Sequence, residues 1–282
     1  MSQLRFGYNT NGFAHHRLED ALEIIRELGY QTAAVTLDYH ALNPFDPAEL
    51  KRQLPRIRRL LQPLLPGAAI ETGARFLLDP RRKHQPTLLS KSTRARAERF
   101  QFLVKAVEIA AYLGVKVVSF WSGAAPATET FDELLRRLAL QCRKLADRAA
   151  SKGVRLAFEP EPGMFIDTMA KFEELIERVG HPAFGLTIDI GHLHCQGETP
   201  IEAHLRRWKE SLWNIHIEDI KRGVHDHLMF GQGEIDFSPA LRALNEIGYS
   251  GGVQVELSRH SHDAVETARK AIAFLTAAEN RS

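Results

Sequence analysis

The sequence predicts an α/β fold, a single (β/α)8 barrel in which residues 1–282 form one domain. Short β-rich segments alternate with amphipathic segments along the chain, and eight strand candidates can be counted. The length of 282 residues also fits one barrel of this type. Glycine closes several of the amphipathic segments, as is typical just after a helix ends. These glycines are Gly29, Gly114, Gly153, Gly180 and Gly248.

The predicted elements follow one another in a regular order. The strand candidates cover residues 4–8, 32–37, 68–72, 115–120, 155–159, 185–189, 213–218 and 252–257. The helix candidates cover residues 18–28, 93–113, 131–151, 168–179, 201–210, 238–247 and 264–277. A doubly wound sheet would alternate in the same way. No Gly-x-Gly-x-x-Gly motif follows the first strand, however, so the barrel is favoured.

One long connection, residues 74–92, follows the third strand candidate. In a barrel it would lie at the C-terminal face, where the active sites of this fold are found. A connection of this length is often functional, and the alternative is a solvated insertion. The basic segment that follows, residues 91–99, is expected to begin a helix with a solvated face rather than to bind nucleic acid.

The composition excludes several classes of protein. The chain is 44% apolar and 26% charged, which excludes a disordered chain. Its formal net charge of +2 gives no overall basic character that would favour nucleic acid as a partner. Two cysteines, Cys142 and Cys195, are too few for a disulfide framework. No secretory signal and no apolar stretch of about 20 residues is visible, so we expect a cytoplasmic protein without a membrane partner.

Polar side chains alternate with large apolar ones in the last four strand candidates. One face of each barrel strand packs against the helices and the other points inward. Four polar residues should therefore converge near the C-terminal ends of these strands, namely Glu159, Asp189, His216 and Glu256. Three carboxylates at close range would repel one another at low dielectric, unless they pair with inward Arg or Lys or bind a divalent cation.

This donor set predicts a metal site. One imidazole and three carboxylates suit hard to borderline ions, so Mn²⁺ or Zn²⁺ is expected, with Mg²⁺ and Co²⁺ as alternatives. Histidine is also concentrated nearby, with seven of the 13 histidines between His181 and His227. Among them, His192, His225 and His227 could hold a second ion, since a His-x-His spacing can direct two imidazoles at one metal. The alternative is that His192 binds substrate and the other two lie in a polar loop.

Five segments carry a resemblance to a known family. They are FEPEPG at 158–163, DIGH at 189–192, HIED at 216–219, GQGEIDF at 231–237 and VEL at 255–257. In these segments the sequence resembles the xylose isomerase-like TIM-barrel superfamily. That superfamily includes sugar phosphate isomerases and epimerases, inosose dehydratases and, more distantly, endonuclease IV. The resemblance covers nearly the whole chain.

The resemblance implies roles for the same residues. It implies that Glu159, Asp189, His216 and Glu256 bind the metal. It also implies that Glu159 and Glu256 are catalytic, exchanging the proton on a carbon beside a carbonyl. His192 would contact substrate hydroxyls, or, as in endonuclease IV-like members, hold a further ion with the loop 225–227. Endonuclease IV also takes histidine ligands from the third and fourth strands, where this chain has Glu71 and Phe120-Trp121. A complete nuclease site is therefore not expected.

The expected function is a divalent-metal-dependent isomerase or epimerase of a sugar, sugar phosphate or polyol ketone. It would act by proton abstraction next to a carbonyl, through a metal-stabilised enediolate. The alternatives are an inosose dehydratase-like lyase and an endonuclease IV-like zinc phosphodiesterase. The partner would be a small carbohydrate-like molecule, and a homo-oligomer is left open. The substrate-binding candidates are Glu161, Arg75, Trp121 and Arg259. The aromatic ring suits the apolar face of a sugar, and the arginines suit a phosphate or carboxylate, although Arg259 could equally steady a ligand carboxylate.

Overall fold

The structure is a computed structural model that describes residues 4–281, so residues 1–3 and 282 of the predicted domain lie outside it. Its strands are β1 (Arg5–Asn9), β2 (Thr32–Thr36), β3 (Ala69–Glu71), β4 (Val117–Phe120), β5 (Arg155–Phe158), β6 (Phe184–Asp189), β7 (Leu212–Ile217), β8 (Asp219–Lys221), β9 (Val224–Leu228) and β10 (Gly252–Val255). Its helices are α1 (Leu18–Glu27), α2 (Pro47–Leu61), α3 (Thr93–Leu113), α4 (Phe131–Ser151), α5 (Met169–Val179), α6 (Ile190–Gln196), α7 (Ile201–Trp208), α8 (Ser238–Glu246) and α9 (Ala264–Glu279).

Eight of these strands are parallel and close into a barrel, in the order β1-β10-β7-β6-β5-β4-β3-β2. The predicted (β/α)8 fold is therefore confirmed. Every predicted barrel strand is present, and its ends differ from the prediction by at most two residues. The antiparallel pair β8–β9 forms a hairpin at the C-terminal end of β7, in a region predicted to be a loop.

Two helices were not predicted from the sequence. The first, α2, is strongly basic and contains Pro55, and only Ile57 and Leu61 of its residues are buried, so its apolar stripe is narrow. Its start does carry a signal, because the Asp46 side chain accepts a hydrogen bond from the backbone N–H of Glu49 and Pro47 occupies the first turn. The second, α6, is a seven-residue helix, too short for a periodic pattern.

The main apolar core lies between the barrel and the surrounding helices. Inside the barrel, a second apolar cluster of small residues fills the lower part of the lumen, and it consists of Ala34, Ala69, Val117 and Ala157. The layer above it is polar. Thr187 pairs with Asn214, and one step higher Asp189 pairs with His216, which pairs in turn with Gln254. The strand register therefore places polar side chains at equal height near the C-terminal end of the lumen.

Helix α5 holds the loop that joins it to β5. Its N-terminus is capped by Thr168, whose side chain accepts a hydrogen bond of 3.3 Å from the backbone N–H of Lys171. Phe172, Leu175 and Val179 bury the inner face of the helix. None of the helices in residues 4–281 combines the length and the apolar character needed to cross a membrane.

Removing the cap of α5 should lower the stability of the fold. We expect Thr168→Ala to reduce the free energy of unfolding by about 1 kcal/mol, because it leaves a backbone N–H of the first turn without its acceptor. Urea denaturation followed by circular dichroism measures this change. The matched control is Thr128→Ala, in an exposed turn outside any helix, which should change stability by less than ~0.5 kcal/mol. Equal effects of the two substitutions would contradict the assigned cap.

Candidate active site

The four polar residues that the alternation selected do meet at the C-terminal end of the barrel. Donor atoms of Glu159, Asp189, His216 and Glu256 all lie within 4.8 Å of one another. The first three side chains are buried and Glu256 is half-buried. They come from the ends of β5, β6, β7 and β10, which are neighbours in the barrel. The period of two along each strand is what points them inward.

His216 is surrounded by carboxylates. Its Nδ1 lies 2.9 Å from Glu159 Oε1 and 3.1 Å from Glu256 Oε2, and its Nε2 lies 3.0 Å from Glu71 Oε1. Burial alone would lower the pKa of His216, but the three carboxylates raise it well above the usual value. Without a bound cation the protonated imidazole donates hydrogen bonds to the surrounding carboxylates, and a cation bound at His216 would take the place of one of these protons. The centre of the barrel therefore attracts positive charge.

Two carboxylates in this cluster differ in their proton affinity. Burial raises the pKa of Glu159 to about 8, against the attraction of His216. Burial also opposes ionisation of Glu256, but His216 and neighbouring histidines hold the pKa of Glu256 well below its usual range. Asn11 supports the ionised form by donating a 2.7 Å hydrogen bond from Nδ2 to Glu256 Oε1. Opposite shifts of two neighbouring carboxyl groups are typical of an acid–base pair.

A fifth carboxylate lies beside Asp189. Both oxygens of Glu218, and Oδ2 of Asp189, are buried without a hydrogen-bond partner among the described residues. Burial and the charge of Asp189 raise the pKa of Glu218 well above its usual value. Gly191 is required here, because a Cβ at this position would lie 2.0 Å from Glu218 Oε1. Neither Glu218 nor Glu71 was predicted as a site residue, although both follow the inward alternation of their strands.

This donor set fits a divalent cation. Asp189 Oδ2 is a buried acceptor without a hydrogen bond among the described residues, with His192 Nε2 3.5 Å away and further carboxylate oxygens nearby. A buried acceptor without a partner is costly, and a metal ion would satisfy it. The ligands present are oxygen and imidazole nitrogen, which suit Mn²⁺, Zn²⁺ and similar ions.

Three imidazoles form a second cluster on the other side of Asp189. His192 Nε2 lies 3.0 Å from His225 Nε2, which lies 3.3 Å from His227 Nε2. Nitrogens bound to one tetrahedral zinc ion at ~2.0–2.1 Å are about 3.3 Å apart, so these distances suit a shared cation. Burial lowers the pKa of His192 to about 3 and thereby keeps its ring neutral. Neutral imidazole is the form that binds a metal.

The hairpin β8–β9 positions two members of this cluster. His225 and His227 are alternate residues of β9, so both rings lie on one face of the hairpin. Asp219 fixes its base, because its carboxylate accepts hydrogen bonds of 2.8–3.1 Å from the backbone N–H groups of Gly231, Gly233 and Ile235. The three histidines predicted to act together are therefore brought together.

A cavity of about 410 Å³ opens above both clusters. Its floor consists of Glu71, Glu159, Glu256 and His216. All four candidate substrate-binding residues also line the cavity, namely Arg75, Trp121, Glu161 and Arg259. Burial and the nearby carboxylate of Glu159 raise the pKa of Glu161 well above its usual value. The guanidinium of Arg259 already pairs with Asp226 at 2.7 Å, whereas Arg75 contacts Asp38 only through Nε, at 3.4 Å.

Of the two aromatic residues at the end of β4, one faces the cavity, and Arg99 departs from the expectation of a solvated position. Trp121 lines the cavity, but Phe120 packs outside the barrel against Phe158, with ring centroids 5.2 Å apart. Successive strand residues face opposite sides, so both rings could not face the substrate. Arg99 was expected at a solvated helix start, yet it is only 1% exposed. Its guanidinium lies 4.8 Å from the Trp121 ring centroid and donates to the carbonyl of Thr72 at 3.0 Å.

Comparison with known proteins agrees with the fold. Inosose dehydratase from Lacticaseibacillus casei is 30% identical over 168 residues, which cover 53% of this chain and 56% of that protein. This chain therefore aligns with about half the length of that relative. L-ribulose-5-phosphate 3-epimerase UlaE from Shigella flexneri serotype 5b (strain 8401) is 24% identical over 243 residues, 84% of this chain and 81% of that protein.

A solved structure described as the IolI protein with a bound zinc atom has the same fold. It superposes with a TM-score of 0.78 at 21% identity, and the superposition covers 99% of both chains. A family model described as "xylose isomerase-like TIM barrel" matches residues 22–278 of this chain. The family resemblance predicted from the motifs is confirmed, and the chain belongs to the xylose isomerase-like TIM-barrel family.

Proposed function

We propose that the protein is a divalent-metal-dependent epimerase or isomerase of a sugar or sugar derivative. The observation that carries this proposal is the pair Glu159 and Glu256. Their carboxylates contact the same nitrogen of His216, at 2.9 and 3.1 Å, and their pKa values are shifted in opposite directions. Both residues line the cavity. The similarity to L-ribulose-5-phosphate 3-epimerase supports the same class of reaction.

The chain's own residues provide for proton transfer next to a carbonyl. Glu159 and Glu256 both present a carboxyl group to the cavity, so one can accept the proton from the substrate carbon and the other can return one. Asn11 holds the Glu256 carboxylate in place, and Trp121 offers an apolar wall to the carbon chain. A divalent ion held by Glu159, Asp189, His216 and Glu256 would supply Lewis-acid stabilisation of the negative charge that develops on the carbonyl oxygen.

Dehydration is the second candidate reaction. It begins with the same proton removal and continues with loss of a hydroxyl group from the next carbon. Glu161 favours this alternative, because its raised pKa keeps the carboxyl protonated and it lines the cavity, so it could donate a proton to a departing hydroxyl. The 30% identity to inosose dehydratase over about half of that protein also supports it.

The three-histidine cluster is proposed as a second cation site. His192, His225 and His227 present three nitrogens at spacings that suit tetrahedral zinc, and the cluster lies beside the first centre. A related solved structure is described with a bound zinc atom, which supports zinc as one of the ions to test. The carboxylate-rich first centre suits Mn²⁺ as well.

Solvent hydrogen exchange tests the proposed reaction. Protein loaded with Mn²⁺, Co²⁺ or Zn²⁺ should incorporate deuterium from D₂O beside the carbonyl of a ketose, as measured by proton NMR. We expect Glu159→Gln and Glu256→Gln each to slow this exchange by at least ~100-fold, because each removes one of the two proton-transfer groups. The same spectra distinguish an epimer from a dehydrated product.

The control is Glu177→Gln, an exposed glutamate on α5 far from the cavity lining. The Glu177→Gln variant should catalyse deuterium incorporation into the ketose at the wild-type rate. Exchange that persists in the double variant Glu159→Gln/Glu256→Gln would refute the catalytic assignment. Absence of exchange with every metal and ketose would refute the proposed reaction.

Metal content tests the two cation sites. After loading with Zn²⁺ and removal of free ions, elemental analysis should give about two ions per chain. We expect His216→Asn to lose the ion of the carboxylate centre and His225→Asn to lose the ion of the histidine cluster, since each removes a ligand. His194→Asn is a matched control, because His194 faces Glu234 at 3.6 Å outside both clusters. A wild-type content of one ion that His225→Asn leaves unchanged would contradict the second site.

A further inference from the structure

The loop between β3 and α3 has a rigid neck at the mouth of the cavity. The neck is the point where residues 74–75 and residues 83–84 of the loop meet. The backbone N–H of His84 donates a 2.6 Å hydrogen bond to the carbonyl of Arg75, so the loop closes on itself. Ala74 and His84 have φ angles of 38° and 64°, in the left-handed region that residues other than glycine rarely adopt. Such conformations persist where the surroundings hold them in place.

Buried aromatic and cationic groups hold this neck. The His84 ring packs on Trp121 with centroids 5.2 Å apart, and Arg99 lies over the same indole at 4.8 Å. Arg99 also binds the carbonyl of Thr72, where the loop begins. The neck is therefore anchored to the cavity wall at both of its ends.

Two cations project from this neck to the cavity. Arg75 and Lys83 both line it, and the hydrogen bond between residues 75 and 84 brings their backbones together. Within the described residues Lys83 forms no ion pair, and Arg75 contacts Asp38 only at 3.4 Å through Nε. By contrast, Arg82 on the outside of the same loop pairs with Asp79 at 2.7 Å. The positive charge at the mouth is thus weakly compensated.

The electrostatic field in the cavity reflects this arrangement. Burial and the charges of Lys83, Arg99 and Arg75 lower the pKa of His84 to about 4, so its ring is neutral. The floor of the cavity, in contrast, is made of carboxylates. Arg75 and Lys83 line the same cavity as Glu159 and Glu256. A substrate whose charged end is held by the two cations can therefore present its uncharged part to the two glutamates.

We propose that Arg75 and Lys83 bind an anionic end group of the substrate, a phosphate ester or a carboxylate, while its carbonyl end lies toward Glu159 and Glu256. This inference rests on the proposed function. Arginine and lysine side by side are suited to such a group, because a guanidinium offers paired donors and an ammonium a compact charge. The apolar face of Trp121 lies beside this neck and suits the carbon chain of the same molecule.

Three matched substrates test this proposal. They are a 2-ketopentose, its 5-phosphate and its analogue with a terminal carboxylate, each measured by deuterium exchange at fixed ionic strength. We expect kcat/KM for one of the charged substrates to exceed that for the neutral ketose by at least ~100-fold, and the preferred one identifies the group. Arg75→Met and Lys83→Met should each reduce this ratio by ~10–100-fold, mainly through KM, because each removes a charge-assisted contact. Lys83→Arg, which keeps the positive charge, should retain most of the kcat/KM ratio between the charged and the neutral substrate.

Arg82→Met is the control, since it removes a cation from the same loop on the side away from the cavity. It should leave the ratio unchanged. Equal kcat/KM for neutral and charged substrates, or a ratio that Arg75→Met and Lys83→Met do not alter, would overturn the proposal. Thermal melting of each variant verifies that it is folded.

Binding separates this proposal from the proposed function. Isothermal titration of the phosphorylated ketose, of its carboxylate analogue and of inorganic phosphate into wild-type protein and the two variants needs no turnover. If no substrate exchanges but one of the two charged ketoses binds at least ~10-fold more weakly to Arg75→Met and Lys83→Met, the anion site stands and the proposed reaction fails. If neither charged ketose binds, or if both bind wild type and variants equally, the anion site fails.

Discussion

The structure depends on one electrostatic constraint, the concentration of buried carboxylates around the single imidazole of His216. Glu71, Glu159 and Glu256 all lie within 3.1 Å of its nitrogens, and Asp189 and Glu218 lie just beyond. Buried anions must be balanced by protons or cations, because leaving them unpaired is costly. The raised pKa of His216 favours a positive charge that balances the anions. The raised pKa values of Glu159 and Glu218 favour protonation, which removes negative charge. A divalent ion would also balance the anions.

The barrel makes this concentration of charge tolerable. Small residues such as Ala34, Ala69 and Ala157 fill the lower lumen, so the apolar core inside the barrel lies below the polar layer. The layer above can then be polar without interrupting the packing between strands and helices, which comes from the other face of the same strands. Of two successive residues such as Phe158 and Glu159, the first thus packs in the core against the helices and the second faces the cavity.

Features of the site that follow from regular strand geometry could be predicted from the sequence, whereas those that depend on contacts between separate elements could not. The convergence of Glu159, Asp189, His216 and Glu256 followed from strand alternation and the closed sheet, which are regular. Glu218 follows the same alternation but was not predicted as a site residue, and its position depends on the close approach of Gly191, a contact between two elements. The prediction that Arg99 lies on a solvated helix face was wrong for a similar reason. An arginine at the start of a helix is usually solvated, and its burial here depends on Trp121 and the loop at Thr72.

The two ends of the cavity are linked through the same backbone. Arg99 contacts both Trp121 and Thr72, and Thr72 directly follows Glu71, whose carboxylate contacts His216. The cationic neck and the carboxylate floor are therefore connected through β3 and α3. A cavity with fixed charges at both ends discriminates by the length and polarity of the molecule it holds, because a charge misplaced along it meets repulsion. In the proposed reaction, the residues that would bind the charged end of the substrate are thus connected to those that would align the reacting groups.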